Sequence, residues 1–190
     1  MDLADDAELL RAHEAGDRRA FGRLYDRHDR RCFQFIRRML GAGASEAAED
    51  LHQDTWLAVS KEAAAFDPAK ASFATWLYTI ARRKVLDHFR RQRVVPLGRA
   101  DEDAVMSVQD PGPTPLQQVV SRELAQRLVA AVEALSAEQR GAFILVAGGG
   151  LSLEEVAEVT GVGLETARSR LRYARGRLRV TLADEWSSHV

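Results

Sequence analysis

From Leu151 to Leu182 the chain reads LSLEEVAEVTGVGLETARSRLRYARGRLRVTL, a run that dictates two helices joined by a tight turn. Ser152 can cap the first helix, and Glu155 three residues on completes a capping box. Gly161 and Gly163 bracket the turn, where positive φ or close backbone approach suits glycine. At about 100° per residue, Leu164, Ala167, Leu171, Ala174, Leu178 and Leu182 fall into one apolar stripe of the second helix. Arg168, Arg172, Arg175 and Arg179 flank that stripe on one side, Arg170 and Arg177 on the other, while Glu165, Ser169 and Tyr173 point away. Six arginines oppose one glutamate between Leu164 and Leu182, whereas a merely solvated face mixes its signs. An apolar back, basic shoulders and a polar front suit a helix laid in a DNA major groove.

Formal net charge over the 190 residues is only −1, so acid elsewhere must offset this helix. It does so in Asp2, Asp5, Asp6 and Glu8, and again in Asp101, Glu102 and Asp103. Segregated charge favours local electrostatic faces over a uniformly basic surface. The single cysteine, Cys32, excludes an internal disulfide and lies among Phe33, Phe35 and Ile36, as a buried small hydrophobe would. No apolar run reaches membrane-span length and no signal-peptide pattern opens the chain, so cytoplasmic residence is the expectation.

The periodicity is helical throughout, and it predicts helices over 5–15, 18–40, 45–65, 72–92, 115–135, 137–147, 153–160 and 164–182. Residues 94–114 differ in kind, carrying Pro96, Gly98, Pro111, Gly112, Pro113 and the acidic cluster. Thr114 and Pro115 then restart helix as N-cap and first-turn proline. The expected architecture is all-α: one helical domain over 1–93, a flexible acidic linker over 94–114, and a second helical domain over 115–190.

The first domain ends in its own basic helix, where Phe73, Trp76, Leu77, Ile80, Ala81 and Val85 share a face opposite Arg82, Arg83, Arg90 and Arg93. Tyr78 and Phe89 fall at the margin, within reach of solvent. Arginines beside accessible rings suit single-stranded nucleic acid, since a base stacked on a ring contributes about 1–3 kcal/mol. Ser72 can cap this helix, after a short loop from Phe66 through Pro68 and Lys70. The plainer alternative makes Trp76 and Tyr78 core residues and the arginines a match to the helix C-terminus.

Two blocks carry a family resemblance. AEDLHQDTWLAVSKEAAAFDPAKASFATWLYTIARRKVLDHFRRQ resembles region 2 of the bacterial extracytoplasmic-function (ECF) sigma factors, and LSAEQRGAFILVAGGGLSLEEVAEVTGVGLETARSRLRYARGRLR resembles their region 4. The resemblance implies a promoter-specificity subunit of RNA polymerase rather than an enzyme. It implies core polymerase, through its β and β′ subunits, promoter DNA and an anti-sigma protein as partners. It assigns Glu49, Asp50, Gln53, Asp54 and Trp56 to docking on the β′ clamp helices. It assigns Lys70, Ser72, Phe73, Trp76, Tyr78, Arg82, Arg83 and Arg90 to the minus-10 element. It assigns Glu165, Arg168, Ser169, Arg172 and Tyr173 to the minus-35 groove, with Arg170 and Arg175 on phosphates. The match departs at Gly148-Gly149-Gly150, where the family carries a more ordered stretch. The residues alone also allow a dimeric helix-turn-helix regulator acting without polymerase. Five scattered histidines and one cysteine suggest no metal, cofactor or catalytic constellation.

Overall fold

A computed structural model describes residues 5–41, 43–92 and 125–183, with side chains described to Val180. The linker, Arg93, Thr114, Pro115 and the side chain of Leu182 lie outside the described residues. The helices are α1 (Asp6–Glu14), α2 (Arg18–Leu40), α3 (Ser45–Lys61), α4 (Phe73–Gln92), α5 (125–133), α6 (Ala137–Ala147), α7 (Leu153–Thr160) and α8 (Leu164–Ala183), with no strand among the described residues.

Local chemistry sets most boundaries. Asp5 and Glu8 form a capping box on α1, Asp17 caps α2, and Ser136 caps α6. The helix expected over 45–65 breaks after Lys61, and Ala63–Ala65 form one 3-10 turn. Phe66 is already extended there, and Pro68 disfavours helical geometry for Asp67.

Helices α1 to α4 enclose a core of Leu9, Leu10, Leu24, Cys32, Phe35, Ile36, Val59, Leu77, Ile80 and Val85. Burial pushes the Cys32 thiol well above its ordinary pKa, so it is an inert core residue. His28 is half-buried and hydrogen-bonded to Asp6 at 2.6 Å, its ring against Phe73. In the second unit, Ala131 and Leu135 pack on Ala174 and Leu178, joining the end of α5 to α8.

The Gly148–Gly150 stretch is an ordered turn, not a loose one. A Cβ on Gly149 would meet the Leu145 carbonyl oxygen at 2.6 Å, so only glycine fits the close approach. Gly150 has φ +72°, and the chain turns there into Leu151, which is buried.

The two units do not hang apart on their linker. Helix α6 packs on α2 and α7 packs on α4. Ile144, Leu145, Val156 and Val159 thereby belong to the same buried cluster as Phe35 and Leu77.

Candidate nucleic-acid interface

The second unit presents α8 as the sequence requires. Ser152 and Glu155 form the reciprocal capping box on α7. Gly161 ends α7 in the left-handed region at φ +66°, while Gly163 is neither crowded nor at positive φ. Ala167, Leu171, Ala174 and Leu178 are buried, which fixes the rotation of α8. Its outward face then carries Glu165, Arg168, Arg172, Tyr173, Arg175 and Arg179 in solvent, with Ser169 half-buried. Arg168 is paired with Glu165, and the Arg172 guanidinium lies 5.4 Å from the Tyr173 ring centroid. Arg170 turns away from this front, and its Nη1 is buried with no hydrogen-bond partner among the described residues.

Helix α4 meets only part of its expectation. Ser72 caps it, accepting from the Thr75 N–H at 3.2 Å. Phe73 and Tyr78 are interior: Phe73 packs on His28 and Phe66, and Tyr78 on Phe35 with ring centroids 5.2 Å apart. Burial pushes the Tyr78 phenol up to about 12. The margin expected for Tyr78 is therefore core, because α2 covers that side of α4. Trp76 is half-buried and tilted against Phe66 at 5.3 Å, so these two rings form the accessible aromatic rim. Lys70 pairs with Asp67 at 3.0 Å, Arg83 with Glu62 at 3.0 Å, and Arg90 with Asp87. Arg82 is half-buried, and burial and nearby Arg170 hold its pKa below the ordinary arginine value.

On α3, Glu49, Asp50, Gln53 and Asp54 are exposed along one face. Trp56 is not on it: the indole is 5% exposed, packs on Phe21 and Tyr25, and donates to His52 Nε2 at 3.0 Å. Burial outweighs the nearby Asp29 carboxylate and keeps the His52 pKa low, favouring the neutral ring that Trp56 needs as acceptor. The exposed apolar residue of that face is Leu57, 50% accessible and one turn on from Gln53 and Asp54.

Sequence reasoning named Phe66 only as the start of the loop before α4, and missed Leu57 and Thr75. Phe66 carried a signal in its place beside Pro68, and Leu57 in its i+3 and i+4 spacing from Asp54 and Gln53. Thr75 carried none, since its importance comes from α7, 80 positions away. Among the described residues, no cluster of three or more His, Cys, Asp or Glu could hold a metal, and no helix is long and apolar enough to cross a membrane.

Comparison with known proteins agrees with this layout. The Sigma-70 region 2 family matches residues 24–94, and the Sigma-70, region 4 family matches residues 125–178. The ECF RNA polymerase sigma factor SigM of Mycobacterium tuberculosis is 35% identical over 173 residues, covering 91% of this chain and 82% of the relative. Among solved structures, CnrH in complex with the cytosolic domain of CnrY superposes with a TM-score of 0.69 at 26% identity, covering 94% of this chain and 97% of that one. The sigma factor RpoE in complex with the anti-sigma factor NepR from Bartonella quintana gives a TM-score of 0.64 at 28% identity, covering 80% and 89%.

Proposed function

The chain belongs to the ECF RNA polymerase sigma factors, and from that premise we propose how its exposed faces divide promoter recognition. It is a promoter-specificity subunit that binds core RNA polymerase and directs transcription initiation. The domain limits we adopt are 1–93 for region 2, 94–114 for the linker and 115–190 for region 4.

In this reading, Arg168, Ser169, Arg172 and Tyr173 of α8 face minus-35 base edges, while Glu165 sets the position of Arg168. Arg175 holds phosphate. The observation that carries the reading is the rotation of α8, whose buried stripe leaves this set facing solvent. Phosphate contacts fix register and base contacts specify, and a bidentate arginine–guanine contact discriminates by about 1–3 kcal/mol. On the first unit, Lys70, Ser72, Arg83 and Arg90 hold the minus-10 strand, with the Phe66–Trp76 rim as stacking platform. Phe73 and Tyr78 support that rim from within. The α3 face of Glu49, Asp50, Gln53, Asp54 and Leu57 docks on polymerase, and Trp56 holds that helix in place.

The protein acts without catalysis of its own, in the cytoplasm. An anti-sigma protein restrains it, as NepR is seen with RpoE. A dimeric regulator acting alone is not favoured, since both units match families defined by RNA polymerase sigma factors. Fluorescence anisotropy on a promoter fragment tests the point: binding should be weak with the protein alone and tight once core polymerase is added. Equal affinity with and without core contradicts the proposal.

A further inference from the structure

The seam between α4 and α7 brings two helix N-termini together around one carboxylate. Glu155 Oε2 completes its own capping box by accepting from the Ser152 N–H at 2.9 Å. Its other oxygen, Oε1, reaches out of the second unit into the first, 2.8 Å from Ser72 Oγ and 2.9 Å from Thr75 Oγ1. Ser72 is the cap of α4, and Thr75 sits in its first turn, buried. Glu155 therefore lies where the partial positive charge of both α4 and α7 favours an anion. Burial works against its ionised form, but the Ser152 N–H and the two hydroxyls outweigh that and hold its pKa below the ordinary value.

A second cluster in the seam pulls the other way. Arg82 of α4 and Arg170 of α8 are both half-buried, and burial and then the nearby Arg170 charge hold the Arg82 pKa below the ordinary arginine value. Arg170 Nη1 is buried there with no hydrogen-bond partner among the described residues.

We propose that Glu155 is an intramolecular latch, occupying with its carboxylate the α4 N-terminus that otherwise receives the minus-10 strand. The closed arrangement engages the Ser72 and Thr75 hydroxyls with Glu155, and DNA phosphate competes with Glu155 for the same hydroxyls and helix end. The latch rests on the promoter-reading assignment above for its purpose, though not for its geometry.

The test uses the full-length protein spin-labelled through Lys61→Cys on α3 and Glu158→Cys on α7, both exposed; the buried Cys32 does not react. Thr75→Val and Glu155→Gln are introduced singly and together. Val keeps the shape of Thr75, and Gln keeps a capping-box residue at Glu155. Electron–electron distance measurements should give one narrow distribution for the parent and a longer, broader one for the double variant. Anisotropy with a random-sequence single-stranded 20-mer should show the double variant binding about tenfold tighter, the factor that one interaction of roughly 1.4 kcal/mol commands. Unchanged distances together with unchanged affinity overturn the latch. Run-off transcription with core polymerase on the same samples reports separately on promoter reading, and its loss in the parent would remove that reading while leaving the measured opening in place.

Discussion

Arg140 Nη1 of α6 donates to the Met39 carbonyl at 3.2 Å, across 101 positions of chain. Met39 lies in the last turn of α2, where the carbonyls lack helical partners. The same guanidinium also donates to the Glu133 and Leu135 carbonyls at the end of α5. One side chain thus closes two helix termini and joins the two units. Arg140→Met keeps much of the packing and removes all three bonds. It should lower unfolding free energy by about 1–3 kcal/mol, measured as a shift of the urea midpoint at unchanged slope.

Trp56 and Leu57 are neighbours with opposite duties. Trp56→Ala empties part of the α2–α3 core and orphans the His52 acceptor, costing about 3–5 kcal/mol of stability. Leu57→Ser removes only an exposed side chain, so stability should hold within about 0.5 kcal/mol while affinity for core polymerase falls. Thermal melts and core pull-downs on both variants separate the two effects.

Asp54 is exposed and meets Lys84 at 3.8 Å, a contact worth little to stability. Asp54→Lys should leave the melting curve in place and weaken core binding by about tenfold or more through charge reversal. Surface-immobilised core polymerase gives the affinity directly.

Asp6 supplies the pH dependence. Its hydrogen bond from His28 lowers its pKa below the ordinary 3.8, burial opposes this, and Arg27 adds to the lowering. A carboxyl lowered on folding contributes stability above its unfolded pKa and loses it as pH falls through the folded value. The difference in urea midpoint between parent and Asp6→Asn should therefore be present above the unfolded carboxylate pKa of about 4 and shrink as pH falls below it.

The sequence reading reached the helices because each was signalled locally. Caps at Ser72 and Ser152 and the stripe from Ala167 to Leu178 need only neighbours within a turn or two. Trp56 and Tyr78 were harder. Periodicity places a residue on a face, but which helix covers that face depends on tertiary packing, and α2 covers the side of α4 that holds Tyr78. The seam was out of reach altogether. Glu155 was legible as a capping residue from Ser152, but nothing local says that its second oxygen bonds Ser72 and Thr75.

On the proposed reading, α8 reads promoter DNA for a polymerase-bound subunit. Run-off transcription on genomic fragments, with core polymerase alone, with the parent and with Arg168→Ala, tests it most directly. Start sites should appear only with the parent and weaken about 5- to 100-fold with Arg168→Ala, while both proteins bind core equally. Start sites indifferent to Arg168, or a loss of core binding in that variant, would contradict it.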